Sequence, residues 1–215
     1  MKRIVFFICM ALACNSYSQQ LYLELGKTSS AFDYKNSQGN ELENLQSKSN
    51  TYLKIGYRDV INNDDTFFVS LGAIYSGYGA IGSDRTLDNF FEWDVTYLGV
   101  EAGLDYRLFR VRDFSFFLKG SVSAEFLIQG NQTINNQVFN LVGEEEFNNN
   151  IFFLRGGLMM TYPITRNTSI TANYTIGKTA LLDKGNATDK ETLKLSAHQF
   201  GFGIIINLPN CNCPF

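Results

Sequence analysis

Three prolines, one histidine and one tryptophan in 215 residues set the first limits. With so little proline, long stretches of backbone keep every N–H available to a β-ladder. A single histidine, His198, excludes a metal site built on two imidazoles. Charged residues make up 18%, below the usual quarter, no basic run appears, and the net charge of −3 disfavours a nucleic-acid partner. No phosphate-cradling glycine loop, Gly-x-Ser-x-Gly elbow or Cys-x-x-Cys pair occurs, so neither a cofactor nor a metal is expected. Apolar runs long enough to cross a bilayer as a helix are also missing. The run Ile4–Ala13 is only about half of the roughly 20 residues needed.

That short run suits a different role. Lys2 and Arg3 precede it and Ser16-Tyr17-Ser18 follows it, the layout of a secretory signal peptide over residues 1–18, cut ahead of Gln19. Lipidation at Cys14 is the alternative, although Ala11 stands where a lipoprotein signal would carry leucine. Cys211 and Cys213 fall in a C-terminal tail, residues 209–215, read as periplasmic. Two thiols supply at most half of a zinc site.

What the chain has in quantity is tyrosine (11), phenylalanine (19) and glycine (18). They are arranged in strict alternation. From Thr96 to Ile128 the even positions Leu98, Val100, Ala102, Leu104, Tyr106, then Phe116, Leu118, Val122, Ala124 and Phe126 form one apolar stripe. The odd positions carry Glu101, Asp105, Lys119 and Glu125 among glycines and serines. Period-two alternation marks strands, each face seeing one environment. Charges in mid-strand behind a continuous apolar stripe point to a membrane β-barrel.

Eight strands are predicted: Gln20–Thr28, Tyr52–Arg58, Thr66–Tyr78, Trp93–Leu108, Phe114–Gln129, Ile151–Pro163, Ser169–Lys178 and Leu195–Leu208. Most are long enough for a tilted spanning strand, which needs roughly nine to eleven residues. Short connections (59–65, 109–113, 164–168) alternate with long polar ones (29–51, 79–92, 130–150, 179–194). This is the sidedness of barrels with periplasmic turns and four extracellular loops. Tyr57, Tyr106, Tyr162, Phe67 and Phe114 lie at the short-turn ends, where an aromatic girdle would stand.

With this leader, this architecture and strands in the style of Tyr97-Leu98-Gly99-Val100-Glu101-Ala102-Gly103, the stretch Gln20–Leu208 resembles the small eight-stranded outer-membrane barrels of the OmpX and OmpA transmembrane type, particularly the porin-family barrels of Bacteroidetes-like bacteria. The resemblance implies an all-β, eight-stranded antiparallel up-and-down barrel over residues 19–208. It also implies a monomer in the outer membrane, inserted by the barrel-insertion machinery and bathed in membrane lipid and lipopolysaccharide. The family's terminal aromatic is displaced here, since Phe215 follows Pro214, so Phe202–Leu208 would take its place.

Inward positions by parity collect Glu24, Lys54, Arg58, Glu101, Asp105, Lys119, Glu125 and Arg155. Eight strands enclose just enough room for side chains, so these charges must pair. Turn positions predict Glu101 opposite Lys119, Glu125 near Arg155 and Glu24 near Lys54. Three functions are compatible with this reading. The first is a structural or surface-interaction role, with extracellular loops meeting a surface ligand or a membrane complex and no catalysis. The second is a narrow porin-like channel. The third is an outer-leaflet lipid hydrolase resembling lipid A deacylases, with Ser196 and His198 two apart on the lipid-facing side of one strand and Glu191 as the orienting group.

Overall fold

The computed structural model describes residues 19–35, 45–62, 64–84, 89–142, 150–180 and 192–208. The expected leader with Cys14, Glu191, and the tail with Cys211 and Cys213 lie outside the described residues. Within them the chain is all-β: β1 Gln20–Lys35, β2 Gln46–Val60, β3 Phe67–Asp84, β4 Asn89–Val111, β5 Phe114–Ile134, β6 Gln137–Asn140, β7 Ile151–Pro163, β8 Thr168–Ala180 and β9 Thr192–Asn207. Each long strand pairs antiparallel with its neighbours, and β1 closes on β9. The result is an eight-stranded barrel with a short ninth strand, β6, folded back on the far end of β5.

The ladders fix the stagger. From Phe202 the hydrogen-bonded path runs through Leu25, Leu53, Tyr75 and Leu98 to Phe126. In the other direction it runs through Ala172 and Met160 to Phe116. The two arrivals are ten residues apart on β5. Ten residues of stagger over eight strands, at strand rise and spacing, tilt the strands by about 40°. Each residue then climbs about 2.5 Å, and partners on adjacent strands differ in height by about one and a quarter residues.

Alternation is broken in two places on the β4–β5 hairpin. Leu108 is an extra residue between Arg107, opposite Phe117, and Phe109, opposite Phe116. Beyond it the outward positions switch from even (Leu104, Tyr106) to odd (Phe109, Val111). Ile128 is a second bulge, between the Tyr97–Leu127 and Thr96–Gln129 pairs. Bulges of this kind re-aim a strand end and raise local twist. The hairpin closes on Arg112-Asp113, with Arg112 at φ 55°. Most strands run past their predicted extracellular ends, because ladder pairing continues after the apolar stripe has stopped. The expected loop 130–150 contains β6, reached through Asn135 and Asn136, both at positive φ (48° and 68°). Asparagine tolerates this conformation, and two such residues make a tight hairpin turn.

The outside is apolar and exposed. Leu23, Ile55, Leu71, Val100, Leu118, Leu154, Ile176 and Phe202 stand among several dozen large apolar side chains facing outward. At the short-turn end, Phe67 meets Tyr106 at 4.8 Å between ring centroids, Phe109 meets Phe116 at 4.8 Å, and Phe114 meets Tyr162 at 4.9 Å. The apolar wall is uneven. On β5 it extends from Phe116 to Phe126, about 25 Å of height and the full depth of an outer-membrane apolar band. On β9 it spans only Phe200–Ile206, about 15 Å, and on β1 only Leu21–Leu25, about 10 Å.

Candidate functional site

Inward-facing residues fill the barrel in three storeys. Toward the short turns, Phe68, Phe117, Met159 and Ile205 pack into a buried apolar plug, backed by Tyr22 and Val60. Toward the long loops a larger plug contains Tyr78, Trp93, Val95, Tyr97, Ile151, Phe153 and Leu195, with Leu45, Phe91 and Leu127 packed against it. Between them lies a belt of four acids (Glu24, Glu101, Asp105, Glu125) and four cations (Lys54, Arg58, Lys119, Arg155). The belt is therefore neutral.

The belt is a chain of ion pairs. Arg58 Nε donates to Asp105 Oδ2 at 2.8 Å and Arg58 Nη1 to Gln20 at 2.8 Å. Lys54 donates to Glu101 at 3.0 Å, and Ser121 supports the same carboxylate at 3.2 Å. Lys119 Nζ lies 3.5 Å from Glu24, which also accepts the Tyr52 hydroxyl at 2.6 Å. Arg155 spans two acids, 2.5 Å from Glu125 and 3.5 Å from Glu101. Glu125, with no exposed surface, further accepts from Ser123 at 2.6 Å and Tyr78 at 2.7 Å. Two arginines join belt to plugs: Arg58 lies 3.7 Å over the Phe68 ring and Arg155 lies 4.3 Å over Phe153. Cations stacked on aromatic faces gain attraction without needing water.

The eight parity-selected residues all face the lumen, but their pairing differs in two respects. Glu101 does not stand opposite Lys119. Asp105 does, and Glu101 faces Ser123. The hairpin turns at Arg112-Asp113 and carries the Leu108 bulge, so the ladder lies four residues from the predicted match. Glu24 and Lys54 are ladder partners, yet their charged ends diverge to Lys119 and Glu101. Glu125 and Arg155 meet across the β5–β7 ladder although neither is the other's ladder partner. The sequence reading missed the aromatic plugs, although Tyr78, Tyr97, Phe117 and Phe153 all sit at inward parity.

Space is tight. Gly26 and Gly201 lie against the Tyr52 ring, and Gly56 and Gly72 against the Tyr22 hydroxyl, so closely that a Cβ at any of the four would collide. A cavity in the belt, beside Glu24, Arg58, Asp105 and Lys119, is about 20 Å³, room for about one water.

Outside the lumen, His198 is exposed on the outward face, and its Nδ1 is 2.9 Å from the Tyr174 hydroxyl. Ser196 shares that face but is not the histidine's hydrogen-bond partner. It stands across from Lys178 and Ala31. Among the described residues no group of three or more His, Cys, Asp and Glu could hold a metal ion.

No protein-family model matches the chain, and no curated protein matches its sequence. Solved structures do match in fold. A major outer membrane protein of Thermus thermophilus aligns over 89% of this chain and 100% of its own, with TM-score 0.52 and 11% identity. OprG of Pseudomonas aeruginosa aligns over 89% and 97%, at 0.47 and 13% identity. Neisserial surface protein A aligns over 87% and 97%, at 0.46 and 13% identity. At such identities the likeness is one of fold. With an apolar outer wall, an aromatic girdle and this closed topology, the chain is an eight-stranded antiparallel β-barrel of the bacterial outer membrane.

Proposed function

We propose that this barrel neither conducts nor catalyses, and that its work is done on its outer surfaces, as a structural element and as a contact for surface ligands, lipid or a membrane complex. The closed lumen carries this reading. A plug with aromatic side chains stands toward each end of a neutral, largely buried charge belt, and the cavity beside Glu24, Arg58, Asp105 and Lys119 holds about one water. A solute path would require breaking buried ion pairs and displacing Tyr78, Phe117 and Phe153 together. What stays available is the lipid-facing wall and the extracellular ends of the strands.

Among the described residues the two plugs stand across any path for the porin-like alternative. The hydrolase alternative needs His198 to take a proton from Ser196, whereas its Nδ1 is engaged by Tyr174. The decisive measurement is conductance of the purified barrel in planar bilayers. A quiet trace over hours is expected, and reproducible unitary steps would overturn the proposal. Lipid A profiles from cells carrying the wild type or His198→Ala are expected to coincide.

A further inference from the structure

The short apolar wall carries cations where the tall wall carries hydrocarbon. On β1 the outward stripe Leu21, Leu23, Leu25 is followed by Lys27, and on β8 Ile176 is followed by Lys178. Between them, on β9, Phe200 is followed by His198, Ser196 and Lys194. Stagger brings three of these to a common height. Lys27 lies two residues below Ser29, the β1 partner of His198, and Lys178 lies two above Ile176, its β8 partner. Moving from β8 through β9 to β1, ladder partners climb by about one and a quarter residues per strand. Lys27, His198 and Lys178 therefore sit about 18, 20 and 22 Å above Ile206 at the short-turn end. On β5 the wall is still apolar at about 25 Å, at Phe126. The row thus lies at the upper edge of the bilayer's apolar band, with Lys194 above it.

Among the described residues no carboxylate neutralises these cations. Lys27 reaches only the Thr51 hydroxyl, at 3.3 Å. Among the described residues Lys178 and Lys194 form no ion pair, and no described side chain of β1, β8 and β9 puts an acid on the outward face of this wall; the ladder partner of Lys194 on β1 is Asp33. The contrast is Lys48 on the next part of the rim, which is bound to Asp94 at 2.7 Å and Glu92 at 2.9 Å. The Tyr174–His198 contact adds a directed donor. When the tyrosine hydroxyl donates to Nδ1, the neutral imidazole carries its proton on Nε2.

Unpaired cations beside hydrocarbon are costly, and lysines there extend toward the headgroups. We propose that Lys27, Lys178, Lys194 and His198 form a docking site for the phosphate of an anionic glycolipid of the outer leaflet. This leaflet lies at the row's height, and its phosphates supply the missing negative charge. The proposal rests on the surface-interaction reading above and names its partner. Conductance tests that reading alone, and lipid binding tests this one.

The test uses the purified full chain in phosphatidylcholine nanodiscs doped with bis-phosphorylated lipid A, its dephosphorylated form, or phosphatidylglycerol. Native mass spectrometry and titration read the bound lipid. Each basic residue near such a surface is worth about a fivefold change in affinity, so the triple variant K27Q/K178Q/K194Q should lose on the order of 100-fold for phosphorylated lipid A. Dephosphorylated lipid should bind the wild type as weakly as phosphorylated lipid binds the variant, while K48Q should bind like the wild type. Equal binding by wild type and triple variant would overturn the site. Equal binding of phosphorylated and dephosphorylated lipid would do so as well. Phosphatidylglycerol binding as tightly as lipid A, or release by inorganic phosphate, would overturn the assignment to a glycolipid. The substituted side chains lie outside the lumen, so heat-modifiable gel mobility should be kept in every variant.

Discussion

Replacing Arg155 by methionine isolates the energetic logic of the lumen. The guanidinium side chain is 1% exposed and holds Glu125, which is 0% exposed, at 2.5 Å, while also reaching Ser123 and Tyr78. In R155M, Glu125 retains only hydroxyl donors. It must either remain a buried, unpaired anion or take up a proton. Breaking a buried pair in this way costs about 3–5 kcal/mol. Removing both charges, in R155M/E125Q, leaves amide and hydroxyl partners and no uncompensated ion, so much of the loss should return. The exposed Lys48–Asp94 pair is the internal control, since such pairs are worth about 0–1 kcal/mol. The assay is reversible urea unfolding in lipid vesicles, followed by fluorescence of Trp93. This is the only tryptophan in the chain and is packed in the plug toward the long loops. The expected order of stability is wild type, then K48M close behind, then the double variant, with R155M last. A cost below about 1 kcal/mol for R155M, or a double variant no more stable than the single one, would refute the reasoning.

The β4–β5 register can be tested with paired cysteines. A102C/V122C should cross-link on oxidation because these are ladder partners, whereas L98C/V122C, which matches the register with Glu101 opposite Lys119, should not. Gly201→Ala should lower unfolding stability by about 1–3 kcal/mol through overpacking against Tyr52, and an unchanged midpoint would mean that the ring does not lie there. Asn136→Ala keeps the left-handed backbone but removes the side-chain amide that makes this conformation tolerable, and should cost up to about 1 kcal/mol at the β5–β6 turn. Faster amide exchange confined to β6 is expected, with the barrel midpoint unmoved.

Strand number in the barrel and the inward set of charges were legible because a barrel writes them in alternation: one face meets lipid and the other meets side chains. Glu24, Lys54, Arg58, Glu101, Asp105, Lys119, Glu125 and Arg155 could be sorted by parity alone. Partnership was not legible, because it depends on register. The β4–β5 register turns on Leu108, a bulge in an ordinary apolar run, and on Arg112, an arginine at positive φ in place of the usual asparagine or glycine. Long side chains add a second uncertainty. Lys54 starts beside Glu24 and ends on Glu101, while Tyr52 and Lys119 take the two oxygens of Glu24. Strand β6 had a local signal in Asn135-Asn136, hidden by the polar composition around it. The Tyr174–His198 contact crosses strands, and no spacing within β9 could announce it.

The unequal height of the apolar wall has a mechanical consequence. A cylinder whose hydrophobic collar is deep on one side and shallow on the other cannot match a flat bilayer while standing upright. It leans, or it thins the membrane along β9 and β1, at a cost of fractions of a kcal/mol for each ångström of mismatch. Two such barrels that meet along their shallow sides would share one patch of thinned bilayer instead of making two. The membrane itself would then draw them together, with no protein contact needed.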